Sequence, residues 1–139
     1  GTYMDGSDIV VAATASHELN DAIRDVSMSR GIMTNSAHGG GDVLIPSTLH
    51  RDGFTVTVSS EGRVPAFPPY VIELLDPSYD SMLELLVELR KVIRDRIPTQ
   101  PERAAYLASV LADDGIWGML REGDRQGAYE RALDKGGLS

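Results

Sequence analysis

His38 and Asp42 flank Gly39-Gly40-Gly41, and this loop places an imidazole and a carboxylate on one short, bendable segment. Such groups can accept protons or touch a divalent cation. A second polar loop, Val58-Ser59-Ser60-Glu61-Gly62-Arg63-Val64-Pro65, follows a segment that alternates like a strand, Phe54-Thr55-Val56-Thr57-Val58. Hydroxyls and backbone amides at a strand end hold carboxylates, and Arg63 can pair with one bidentately. Blander readings stay open for both loops: a flexible turn with a hydrated histidine, and a polar loop with an exposed arginine. His17, in a first helical turn, and His50, beside a turn, read as solvated. Arg90, Lys91, Arg94 and Arg96 read as a helix face balancing Glu84, Glu88 and Asp95. There is no Walker loop, zinc-protease helix or nucleophile elbow.

The elements around these loops follow from pattern. Asp8-Ile9-Val10-Val11-Ala12-Ala13-Thr14 is an apolar run of strand length without alternation, which predicts a buried parallel strand. Ser16 is placed to cap a helix carrying Leu19, Ala22, Ile23 and Val26, and Gly31 to end it. Ile32-Met33-Thr34 returns as a strand, completing a βαβ unit, half of a Rossmann-like sheet. Strands are predicted around Val43–Leu49 and Phe54–Val58, with Arg51-Asp52-Gly53 as their turn. Asp76-Pro77 starts a helix whose stripe is Met82, Leu85, Leu86, Leu89 and Ile93, ending before Pro98. Thr99-Gln100-Pro101-Glu102 is a capping box for a helix through Tyr106, Leu107, Val110 and Leu111. Shorter helices are predicted over Ile116–Leu120 and Ala128–Leu133, separated by Gly123 and Gly127, with Trp117 and Tyr106 in the helical core. Gly136-Gly137-Leu138-Ser139 is expected to fray.

The predicted fold class is α/β. A partial Rossmann-like βαβ unit occupies residues 1–46, a small β dimerisation layer with an active-site loop 47–75, and an all-helical domain 76–139. With 139 residues the chain can bury one modest core, and its 42% hydrophobic and 24% charged content are ordinary for a globular protein. A net charge of −8 argues against non-specific nucleic-acid binding. It also requires any site for an anionic ligand to hold local arginines against an unfavourable overall field. The absence of cysteine excludes disulfides, thiolate metal sites and cysteine catalysis, and fits a cytoplasmic location. No apolar run is long enough for a transmembrane helix, and no signal-peptide pattern opens the chain.

The ordered set of motifs resembles the precorrin-2 dehydrogenase / sirohydrochlorin ferrochelatase family, the siroheme-synthase module. Val10-Val11-Ala12-Ala13-Thr14 is similar to the family's strand that meets a nicotinamide, and Asn20 to the asparagine after it. Gly41-Asp42-Val43-Leu44-Ile45-Pro46-Ser47 resembles a segment usually written Asp/Ser-Phe-Ile-Phe-Pro-Ala/Ser. Val58 through Pro65 is similar to a Val-Ser-Ser/Thr-Gly-Gly-x-Ser/Ala-Pro loop, and the helical tail matches in layout. The resemblance implies a homodimer that oxidises precorrin-2 to sirohydrochlorin with NAD. In many members it also implies insertion of Fe²⁺ in the same cleft. On this reading His38 or Asp42 accepts the proton and Ser60 belongs to the second active-site loop, Asn35, Ser59 and Arg63 contact the tetrapyrrole, and Ala13, Thr14 and Asn20 contact NAD, with no resident metal site. His38 stands where the family has an aspartate, and the stretch from there to Pro46 is shortened.

No Gly-x-Gly-x-x-Gly precedes Asp8, so the NAD site is expected to be incomplete, and a chain opening with Gly1 is expected to be part of a longer enzyme. The alternative is a non-catalytic tetrapyrrole-binding or dimerisation module; a coincidental likeness ranks last.

Overall fold

The computed structural model describes residues 2–139. A 3-10 turn at Thr2–Met4 precedes strand β1 (Ile9–Ala12), helix α1 (His17–Ser29) and strand β2 (Met33–Ser36). Strands β3 (Ser47–His50) and β4 (Thr55–Val58) follow, then helices α2 (Phe67–Glu73), α3 (Ser78–Arg96), α4 (Gln100–Leu111), α5 (Asp114–Arg121) and α6 (Arg125–Lys135). The chain packs as two units. One comprises residues 1–48 and 57–72, the other 49–56 and 73–139, so the division runs through the β3–β4 hairpin.

In the first unit β1 and β2 pair in parallel, with Ile9 opposite Met33 and Ala12 opposite Ser36. The βαβ expectation therefore holds, and Ser16 caps α1 by accepting a hydrogen bond from the Leu19 amide. Two details differ. The strand is covered on one face only: Ala12 is fully buried, while Ile9 and Val11 are about half exposed. The apolar stripe of α1 is not its buried face either. Leu19 and Val26 are exposed, and the fully buried positions are Asn20 and Ser27. The Ser27 hydroxyl is satisfied locally by the Ile23 carbonyl. Periodicity thus identified the helix but not the side that meets the sheet, because polar residues with local partners occupy it.

Three glycines let the β2–β3 connection fold back along β2. Gly39 and Gly40 take φ of +93° and +83°, and a Cβ on Gly41 would collide with the Thr34 carbonyl. That close approach permits Val43 N–H to donate to Thr34 O and the Asn35 amide to donate to Val43 O.

The second unit is a helical bundle. Its core joins Met82, Leu85, Leu89 and Ile93 of α3 to Tyr106 and Val110 of α4, and to residues of α5 and α6. The capping box at Thr99 and Glu102 is formed in both directions. Tyr106 donates its hydroxyl to the Ala132 carbonyl, and Trp117 is half-buried rather than fully in the core. Gly127 lies inside α6 instead of before it, its amide donating to the capping carboxylate of Asp124. The C-terminus does not fray as expected. Leu138 is buried in the core, its amide donates to Leu133, and its carbonyl accepts from Arg96. Arg51, read from sequence as a turn residue, also pairs with Asp80 at 3.0 Å and donates to the Leu75 carbonyl.

Candidate functional site

In the first unit an open pocket of about 600 Å³ lies at the carboxyl end of β2. Ligands bind at this end of parallel strands because the following loops converge there. Its walls are the end of β2 and the turn after it, the segment 44–47, and the loop that leaves β4.

The pocket gathers four of the anticipated residues: Asn35, His38, Ser59 and Ser60. Asn35 spends its amide N–H on the Val43 carbonyl, at 2.7 Å, which fixes the wall formed by the returning chain. Ser60 Oγ donates to the Val64 carbonyl at 3.0 Å and receives the Val64 amide, so it shapes the second loop from within. Ser59 accepts from the Glu61 amide in a serine turn.

Asp42 and Arg63 do not line this pocket. Asp42 is exposed, and Arg63 pairs with Glu61 at 3.1 Å with side chains 80% and 73% exposed. An ion pair so open to water contributes little to stability. Ala13, Thr14 and Asn20 also lie outside the pocket lining, in the connection from β1 to α1. Asn20 is fully buried there. Its Oδ1 accepts from the Thr14 amide and hydroxyl, each at 2.8 Å, and its Nδ2 donates to the Thr14 carbonyl. It therefore ties the end of β1 to α1.

Asn20 also reaches His38: its Nδ2 lies 2.9 Å from His38 Nδ1. The His17 ring also packs against it, its centroid 3.4 Å from that of His38. His17 is exposed, as expected of a first helical turn, yet it is a partner of the loop histidine rather than merely solvated.

One residue was missed from sequence. Ser36 is 7% exposed, lines the pocket, and its hydroxyl has no hydrogen-bond partner. The signal was available: Ser36 shares a strand face with buried Thr34 and ends a parallel strand. Among the described residues no group of three or more histidine, aspartate or glutamate side chains can hold a metal ion. Among the described residues no helix is long and apolar enough to cross a membrane.

No family model matches the sequence. A precorrin-2 dehydrogenase of Methanosarcina barkeri is 31% identical over 134 residues, covering 94% of this chain and 58% of that protein. A siroheme synthase of Methylobacillus flagellatus is 28% identical over 114 residues, 78% of this chain and 24% of the relative. A siroheme synthase 1 of Aeromonas salmonicida is 25% identical over 136 residues, 94% of this chain and 29% of the relative. The chain thus spans little more than half of the first relative and under a third of the other two. Among solved structures, SirC, a precorrin-2 dehydrogenase, has the same fold with a TM-score of 0.54 at 19% identity, covering 91% of this chain and 64% of that one.

Proposed function

The chain belongs with the precorrin-2 dehydrogenases and siroheme synthases, and from that premise we propose that it works in siroheme biosynthesis by holding precorrin-2 or sirohydrochlorin in the first unit's pocket. The observation that carries this reading is the convergence of Ser36, His38, Ser59 and Ser60 on one open cavity at a strand end. These tetrapyrroles carry acetate and propionate groups, which the Ser59 hydroxyl and the His38 imidazole can receive as donors without a paired cation, while Ser60, its proton given to Val64, holds the loop in shape. That matters in a chain of net charge −8, where attraction at long range works against an anionic ligand.

The resemblance brings NAD as the oxidant, and the β1–α1 turn does not fit its pyrophosphate. The Leu19 amide at the start of α1 is taken by Ser16, and the Thr14 amide by Asn20. Two of the donors that a phosphate would use there are thus committed within the chain. Ala13 and Thr14 are exposed beyond β1 and offer at most an edge for the nicotinamide ring. The residues described here bind and orient the tetrapyrrole; they do not by themselves hold the dinucleotide. Fe²⁺ enters this reading as a substrate of insertion into sirohydrochlorin, and the location is cytoplasmic.

An absorption titration of sirohydrochlorin against the chain tests the proposal. Leu44 lines the pocket and is 53% exposed, so Leu44→Glu adds a like charge beside the ligand with little effect on folding. It is expected to weaken binding at least tenfold, while Lys91→Gln, an equal change of one negative unit in the second unit, stays within about twofold. Equal effects from the two variants, or no saturable binding by the parent chain, would remove the pocket from the account.

A further inference from the structure

We infer that His38 serves this pocket as a hydrogen-bond donor through Nε2–H, held in that tautomer by Asn20, and not as the proton acceptor that its loop position first suggests. Two backbone groups beside Asn20 have fixed roles. Thr14 N–H can only donate and Thr14 C=O can only accept, and they lie 2.8 and 3.0 Å from the two ends of the Asn20 amide. The atom facing the N–H is therefore the oxygen, and the atom facing the carbonyl is the nitrogen. This nitrogen carries hydrogens only, and it also faces His38 Nδ1 at 2.9 Å. Nδ1 must then present its lone pair, which leaves the proton of the neutral ring on Nε2. Protonation at Nδ1 would set donor against donor beside an asparagine that is 0% exposed and has no other orientation to adopt.

Two further observations show what the donor is for. The His17 ring, 3.4 Å away between centroids, limits rotation of the His38 ring. Ser36, whose hydroxyl is buried without a partner, belongs to the same pocket wall. A neutral donor at this wall suits an acceptor oxygen, a carboxylate above all. This choice of ligand group rests on the tetrapyrrole reading; the tautomer does not. Asn20 is thus a positioning residue. It never touches the ligand, and it decides which nitrogen His38 offers.

Long-range ¹H–¹⁵N correlation on the labelled, ligand-free chain reads the tautomer directly, with His17→Gln and His50→Gln variants assigning the three rings. Neutral His38 is expected to show a bare Nδ1 and a protonated Nε2, with a scalar coupling across the hydrogen bond between Asn20 Nδ2 and His38 Nδ1. Asn20→Asp replaces the donor by an acceptor and is expected to move the proton to Nδ1. A parent chain with Nδ1–H, or a folded Asn20→Asp chain that keeps Nε2–H, overturns the inference. If Asn20→Asp does not fold, the coupling in the parent chain decides, and its absence overturns the inference equally. The ligand side is read separately by sirohydrochlorin titration. His38→Glu, an acceptor, is expected to bind at least tenfold more weakly than His38→Gln, a donor. The reverse order identifies His38 as a base while leaving the pocket assignment standing.

Discussion

Glu61 is the one described residue other than glycine with positive φ, at +53°, and it sits at the tip of the pocket's second loop. The left-handed region costs an L-residue roughly 1–2 kcal/mol. The loop accepts this because Ser59 binds the Glu61 amide and Ser60 closes the loop onto Val64. Glu61→Gly is expected to leave the melting temperature unchanged or raise it slightly, whereas Glu61→Val, β-branched, lowers stability by more than about 1 kcal/mol. Equal stabilities in urea would refute this. The resembled motif has glycine at this position, but the strain itself is visible only in the backbone.

Asp113 shows the same limit in the second unit. It caps α5 through the Gly115 and Ile116 amides and also holds Lys135 and Arg131, each at 3.0 Å. Lys135 and then Arg131 hold its carboxyl well below the usual carboxylate range. The stability it contributes is therefore complete above the unfolded-state value, near 3.8, and is lost as the pH falls through the lower folded-state value. Asp113→Ala is expected to cost about 1–2 kcal/mol at neutral pH, with the gap to the parent chain narrowing below about pH 4. A gap that stays constant down to about pH 2 would contradict the assignment.

At the level of elements, the helical half was the more legible. Its stripes, the Thr99 capping box and the stop before Pro98 are local signals, and the structure follows them. The misreadings have nonlocal causes. The last four residues were judged by their glycines, yet Leu138 finds a core site and Arg96 fixes its carbonyl. The buried side of α1 was judged by hydrophobicity, yet Asn20 and Ser27 occupy it with partners that no periodicity reveals. The β2–β3 connection was read as flexible, yet Gly41 is there for close approach to Thr34. Gly41→Ala should break the Val43-to-Thr34 hydrogen bond and expose that segment. Hydrogen exchange at Val43 is expected to accelerate at least tenfold, and unchanged protection would show that the backbone accommodates the methyl group.

For the whole molecule, the reading predicts a homodimer. The β3–β4 sheet has two strands, so its outer edges are open to pairing across a two-fold axis. Light scattering at micromolar concentration should give twice the chain mass of 15.0 kDa, and a monomer would refute that part of the account. The order of motifs made the family resemblance legible, while charge and composition carried no function and the pocket was only partly legible. Asp42 was expected beside the ligand as a carboxylate in the His38 loop and Arg63 as the partner of a ligand carboxylate, and neither lines the cavity. Ser36 enters because strand alternation and parallel pairing bring it there. The central claim is that a tetrapyrrole binds at this strand end, and mapping amide shifts as sirohydrochlorin is added tests it most directly. The account predicts the largest shifts at residues 35–39, 44–47 and 58–62; shifts centred on α3–α6, or none at saturating ligand, would contradict it.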